Sequence, residues 1–169
     1  WLTGYDALRY QLAIAFADPA IAGIVLDIDS GGGMVAGCFD LVDWIAEARQ
    51  AAGKPIAAIL TESAYSAAYA IASVADSIAV PRTGGVGSVG VVMLHVDYSG
   101  MLEEHGITPT LIFSGSHKAD GNPFEPLPAS VKQQFEAECD DLRNVFAATV
   151  ARGRSIDVKA VLATEARCY

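Results

Sequence analysis

The chain has 169 residues, a length suited to one domain with its own core. A formal net charge of −9 argues against nucleic acid as the main partner, because phosphate contacts need clustered Lys and Arg. Hydrophobic residues reach 52%, yet no apolar run approaches the roughly 18 uncharged residues that span a bilayer, so no membrane span is expected within this stretch.

The chain opens at Trp1 without Met and shows no secretory leader pattern, so it is expected to be an excised piece, truncated at both ends. Thr3-Gly4-Tyr5-Asp6 resembles a capping box with Asp in place of Glu, and Leu8, Leu12, Ile14 and Phe16 predict a helix ending near Asp18-Pro19. Ala22 to Asp29 is a continuous apolar strand of the kind found in parallel, doubly covered sheets. Ser30-Gly31-Gly32-Gly33 follows, then a helix from about Val35 to Ala52 with Phe39, Leu41, Val42, Trp44 and Ile45 on its buried side. Gly53-Lys54-Pro55 ends it.

The next strand is Ile56 to Leu60. Glu62 to Asp76 then reads as a turn running into a helix of small residues, with Ser63 or Ser66 at its start. Asp76 to Val80 predicts a short strand, Pro81 to Gly90 is glycine-rich, and Val91 to Val96 predicts another strand. Ser99 to Gly106 reads as a short helix, Thr108 to Phe113 as a strand, and Ser114 to Pro128 as a polar, turn-rich loop. Ser130 to Arg152 is a long amphipathic helix, Ser155 to Ala163 a last helix capped by Ser155, and Glu165 to Tyr169 the start of a strand. Alternating strands and helices give an α/β class, with neither linker nor internal repeat.

Few residues offer chemistry. Cys38, Cys139 and Cys168 form no motif and have no metal-ligand spacing, so reduced thiols and no zinc site are expected. The glycine run 31–33 lacks dinucleotide-binding spacing, and Thr83 to Gly90 lacks the ending of a phosphate loop. A glycine run after a strand serves either as a tight turn or as bare N–H groups for an oxyanion. A serine at a strand-to-helix turn is either an N-cap or a nucleophile that projects its Oγ. A nucleophile needs a base. The candidates are His95, ending a buried strand, and Lys118, beside His117 in the polar loop. His105 reads as a surface residue.

Four stretches in order carry a resemblance. Ala64-Tyr65-Ser66-Ala67-Ala68-Tyr69 with Ala75-Asp76 resembles the Ala-Ser-Gly-Gly-Tyr nucleophile segment of the signal peptide peptidase A family, the S49 serine peptidases. Asp29 to Gly33 resembles that family's Asp-Ser-Pro-Gly-Gly oxyanion loop, with Gly31 in place of Pro. Gly85 to Val92 resembles its Gly-Ser-Ile-Gly-Val passage. Ser114 to Phe124 resembles the element that carries its general-base lysine. The nearest likeness is to the phage and prophage capsid-protease branch.

The resemblance implies a single S49 domain over residues 1–169 with a spiral β-sheet of the Clp-protease and crotonase type, flanked by helices. It implies a Ser66 nucleophile, a Lys118 base, and an oxyanion hole from Gly32 or Gly33 and Ala67. Ala67 and Ala68 replace two glycines of the pattern, which narrows the site. No cofactor or metal is expected. Expected partners are a peptide or protein substrate and further copies of the chain in a ring, in a host cytoplasm or a phage prohead. The function would be processing of phage head proteins or degradation of signal and membrane peptides. Three rivals stand beside it: a Ser66–His95 peptidase, a crotonase-type acyl-CoA enzyme that does not need Ser66, and a non-catalytic capsid-assembly module.

Overall fold

The structure, a computed structural model, describes residues 3–169. Its helices are α1 (Tyr5–Ala17), α2 (Cys38–Ala52), α3 (Ala67–Ser73), α4 (Ser99–Glu104), α5 (Ala129–Arg154) and α6 (Val158–Leu162). Its strands are β1 (Ile24–Ser30), β2 (Ile56–Tyr65), β3 (Ser77–Ala79) and β4 (Gly85–Gly87). The chain divides into two compact units. One comprises the chain up to Val91 together with Arg143–Tyr169, and the other is Val92–Leu142.

In the first unit all four strands are parallel, as the α/β reading expects. β2 is the central strand. β1 lies along one edge in the register Ile24 to Ile56. On the other edge, β3 pairs with Ala57–Ile59 and β4 with Ser63–Tyr65, so two short strands share one edge end to end. β2 runs five residues past the expected end at Leu60. The extension contains an irregularity: Ile28 faces Leu60, but Ser30 faces Ala64. Two additional β2 residues bulge there, a device that re-aims a strand. Side chains of β1 hold the bulge. Asp27 accepts from the Thr61 hydroxyl, and Asp29 Oδ1 accepts from the Ser63 N–H at 3.3 Å and its hydroxyl at 3.5 Å.

The core of this unit is Ile45, Ile56, Leu60, Cys38 and Val150, with a run of buried alanines from β2 and α3. Small residues let α3 pack closely on β1 and β2, and α2 packs on α3 in turn. The expected double cover of the sheet is not present among the described residues. β1 alternates half-buried and exposed positions, with Val25 61% exposed, so one face packs and the other is open. A clamp closes the packed side. Arg49 at the end of α2 donates to the Val74 carbonyl and pairs with Asp76 at 2.8 Å, and Asp76 Oδ2 accepts the Ile56 N–H at 2.8 Å.

Several expected boundaries move. The Thr3 capping box does not form: Gly4 precedes α1 and no side chain caps it. α2 starts at Cys38 rather than near Val35, and ends as expected, with Gly53 at φ +64 donating to Arg49 and Gln50 carbonyls. α6 is capped by Asp157, which accepts the Lys159 N–H, while Ser155 sits in the preceding turn at φ +54. The final segment forms a single antiparallel bridge, Cys168 to Gly87.

The second unit departs furthest from the sequence reading. Neither Val91–Val96 nor Thr108–Phe113 is a strand. Both have β-type composition, but a strand also needs a neighbour to close its ladder, and among the described residues neither has one. Their side chains are open, Val92 at 91% and Ile112 at 95%. α4 ends at Glu104 and is followed, after His105, by Gly106 at φ +70, the glycine stop expected there.

Candidate active site

Ser66 is the single residue between β2 and α3. Its backbone sits at φ +52 and ψ −127, a region that non-glycine residues avoid. Three bonds hold it there. Its N–H donates to the Gly87 carbonyl at 2.9 Å, and its carbonyl accepts from Tyr69 at 2.8 Å and Ala70 at 3.1 Å. It occupies the N-cap position, yet its side chain makes no capping bond. The hydroxyl is therefore left half-buried and free for chemistry, as in a nucleophile elbow. Ser63, the other candidate, is inside β2 opposite Gly85, with its hydroxyl on Asp29.

The glycine loop 31–33 lies against this junction. Gly32 has φ +117, and a Cβ added there would fall 2.6 Å from Ser66 Cβ and 3.1 Å from the Tyr65 carbonyl. Only glycine permits that approach. The Gly32 N–H is taken by Ser30 Oγ at 3.2 Å. Among the described residues the N–H groups of Gly33 and Ala67 have no acceptor, and both residues line one small cavity with Ser66. Of the expected oxyanion donors, Gly33 and Ala67 are thus the free ones, and Gly32 supplies the close fit.

That cavity measures about 20 Å³, room for one water. Its walls are apolar: Val35, Cys38 and Phe39 from the loop and α2, Val91, and Phe146 from α5. The Phe39 and Phe146 rings pack at 5.6 Å. Burial pushes the Cys38 thiol above its ordinary range, so it stays protonated and does not compete as a nucleophile. The sequence offered no sign of these walls, since a pocket aromatic on a helix reads like any core residue.

The second glycine passage has a packing cause. A Cβ at Gly84 would meet the Glu62 carbonyl, and one at Gly85 the Tyr65 hydroxyl. These residues let β4 press against β2 and bring the Gly87 carbonyl to Ser66.

The structure thus gathers Ser66, Ala67, Gly32 and Gly33 in the first unit. Lys118 belongs to the second unit, exposed in a turn where its N–H donates to the Gly115 carbonyl at 3.1 Å. All three histidines are in the second unit as well. His95 Nε2 is 3.1 Å from the Asn122 carbonyl, His117 Nδ1 is 2.8 Å from Asp120, and His105 Nδ1 is 2.7 Å from the Met101 carbonyl. In the first unit Lys54 is committed elsewhere, donating to the Ala15 and Asp18 carbonyls.

A family model, Peptidase family S49, matches residues 48–168. The chain belongs to peptidase family S49. Its similarity to two phage proteins covers 99% of its length. One is the head-tail preconnector protein GP5 of Enterobacteria phage P21, 45% identical, and the other is the capsid assembly protease C of Escherichia phage lambda, 42% identical. It is 30% identical over 89% of its length to a putative signal peptide peptidase SppA of Enterococcus faecium. The chain spans 33%, 38% and 44% of those three proteins, less than half of each. The S49 match includes the Ser66 junction and the Lys118 turn, while Gly32 and Gly33 precede it.

The positive-φ junction predicts a stability gain for glycine at position 66. A residue held in such a region costs about 1–3 kcal/mol, and glycine returns about 0.4–1 kcal/mol through unfolded-chain entropy. Ser66→Gly should therefore be more stable than Ser66→Ala by about 1 kcal/mol in urea unfolding. Equal stabilities would show that the turn is unstrained.

Proposed function

We propose that this S49 chain is a serine peptidase in which Ser66 attacks the peptide carbonyl and Lys118 is the general base. The observation that carries the reading is the Ser66 junction. Its uncapped hydroxyl stands at a strained turn beside the free N–H groups of Gly33 and Ala67. In the proposed cycle, neutral Lys118 Nζ takes the Oγ proton as Oγ bonds to the carbonyl carbon. The oxyanion accepts from the Gly33 and Ala67 N–H groups. The C–N bond then breaks, the leaving amine takes the proton from Lys118, and water hydrolyses the acyl-enzyme by the same route.

A lysine acts as a base near neutral pH only when stripped of water. Lys118 is exposed in the free chain, so the reading requires bound substrate to cover it. The histidines are weaker candidates, since each has a ring nitrogen engaged within its own unit. A fluorophosphonate probe followed by peptide mass mapping tests the assignment. Wild type should be labelled at Ser66, and Lys118→Ala should fold but label and cleave at least a hundredfold more slowly. A fully active Lys118→Ala enzyme would exclude the lysine, and one inactivated only by loss of His95 would point to the Ser–His alternative.

The cavity beside Ser66 sets the proposed specificity. The cavity is small and mostly apolar, so small apolar side chains are proposed for the residue before the scissile bond. Peptides with Ala at that position should exceed Leu or Phe analogues by tenfold or more, roughly, in kcat/KM. Phe146→Ala should reverse the order toward Leu. An enzyme that prefers Phe without mutation would remove this cavity from the reading.

The relatives' names support capsid or head-assembly proteins as the substrate class, in a host cytoplasm or a prohead. Exposed apolar side chains such as Val92 and Ile112 support self-association into a ring. Sedimentation should then give a species larger than a monomer at micromolar concentration, and a monomer would count against it.

A further inference from the structure

The glycine loop is held on two sides. Gly32 presses on Ser66, as described above. On the far side stands Tyr5, from the first turn of α1. Its hydroxyl donates to the Met34 carbonyl at 2.7 Å. A Cβ at Gly33 would lie 3.1 Å from that hydroxyl, and one at Gly37 would lie 3.6 Å from the Tyr5 ring. The segment from Gly33 to Gly37 therefore wraps the Tyr5 side chain, whose hydroxyl holds the Met34 carbonyl, while the Val35 and Gly37 carbonyls accept from the Cys38 and Leu41 N–H groups as α2 begins. Beyond it, the Cys38 thiol lies beside the Tyr5 hydroxyl and contacts the Ala67 carbonyl at 3.9 Å. A continuous set of contacts thus runs from Met34 through Tyr5 and Cys38 to Ala67, joining the loop that holds one free N–H to the residue that holds the other. Burial and the neighbouring Cys38 push the phenol up to about 12, so it remains a donor throughout the working range of a peptidase.

We infer that Tyr5 is a positioning residue. Its hydrogen bond to the Met34 carbonyl fixes the Gly33 N–H where the oxyanion of the Ser66 adduct forms. It touches no reacting atom and acts through the loop. The inference rests on Ser66 being the nucleophile. Oxyanion donors act only at short, fixed distance, so releasing the loop should weaken the transition state and leave ground-state peptide binding in place.

The test is Tyr5→Phe in the full chain, which keeps the ring against Gly37 and removes only the hydroxyl. Rates are expressed per Ser66 titrated with the fluorophosphonate, so an unfolded fraction does not mimic the effect. The expected result is a kcat lower by about tenfold or more with KM within twofold. The second-order labelling rate should fall in parallel, because the phosphonyl oxygen occupies the same hole. A wild-type kcat, or a raised KM with kcat unchanged, would overturn the positioning role. The two levels separate cleanly. Labelled wild type with an indifferent Tyr5→Phe sinks the inference alone, whereas wild type unlabelled at Ser66, or a fully active Ser66→Ala, sinks it together with the serine-peptidase reading.

Discussion

The hydrogen bond from the Ser66 N–H to the Gly87 carbonyl is the constraint on which the rest of the first unit depends. A serine at φ +52 does not remain there by local preference. It is held because β2 and β4 continue the ladder up to that residue and α3 begins immediately after it. To bring the Gly87 carbonyl within reach, β4 must lie closer to β2 than side chains allow, and so it is built from glycine. To keep β2 extended as far as Tyr65, its bulge must be fastened, and Asp27 and Asp29 do so. The small residues of α3 let the helix start where the strand stops without forcing the two apart.

The glycine loop follows the same logic from the other strand. β1 ends beside β2, so the loop after it arrives at the Ser66 turn by virtue of the parallel register. Gly32 permits contact, and Ser30 takes the Gly32 N–H out of use. What remains free is Gly33, with Ala67 across from it. Within three consecutive glycines, Gly32 fits against Ser66 with its N–H taken by the Ser30 hydroxyl two residues upstream, and the Gly33 N–H stays without an acceptor among the described residues.

Much of this was legible in the residues. The order of the strands, the glycine loop and the small-residue helix was legible from composition and periodicity, whereas the preference for Ser66 over Ser63 came from the resemblance to the S49 nucleophile segment. Other features were not legible, for physical reasons. The stretch after Leu60 looks like the end of a strand, since the partners that hold Thr61 and Ser63 are side chains on β1. Val91–Val96 and Thr108–Phe113 look like strands, since composition reports a preference for the pleated state and not the existence of a neighbour. Tyr5, Cys38 and Phe146 carried no signal. Each is an ordinary helix residue whose importance depends on which loop or cavity meets it. Lys118 was singled out by the family resemblance of its loop, whereas the desolvation that the proposed base role requires is a property of the surroundings that no motif encodes.

The last residues of the chain have a consequence for how variation in this family is read. Tyr169 exchanges both backbone hydrogen bonds with Val86, and the Ser88 N–H donates to the Arg167 carbonyl. Gly87, whose carbonyl holds Ser66, is bracketed by these bonds, and a side chain on it would strike Arg167. The segment a hundred residues downstream of the serine is thus the outer wall of its turn. Substitutions at Arg167, Cys168 or Tyr169 therefore act on the backbone that holds the Ser66 turn, although in sequence they look like a distant tail.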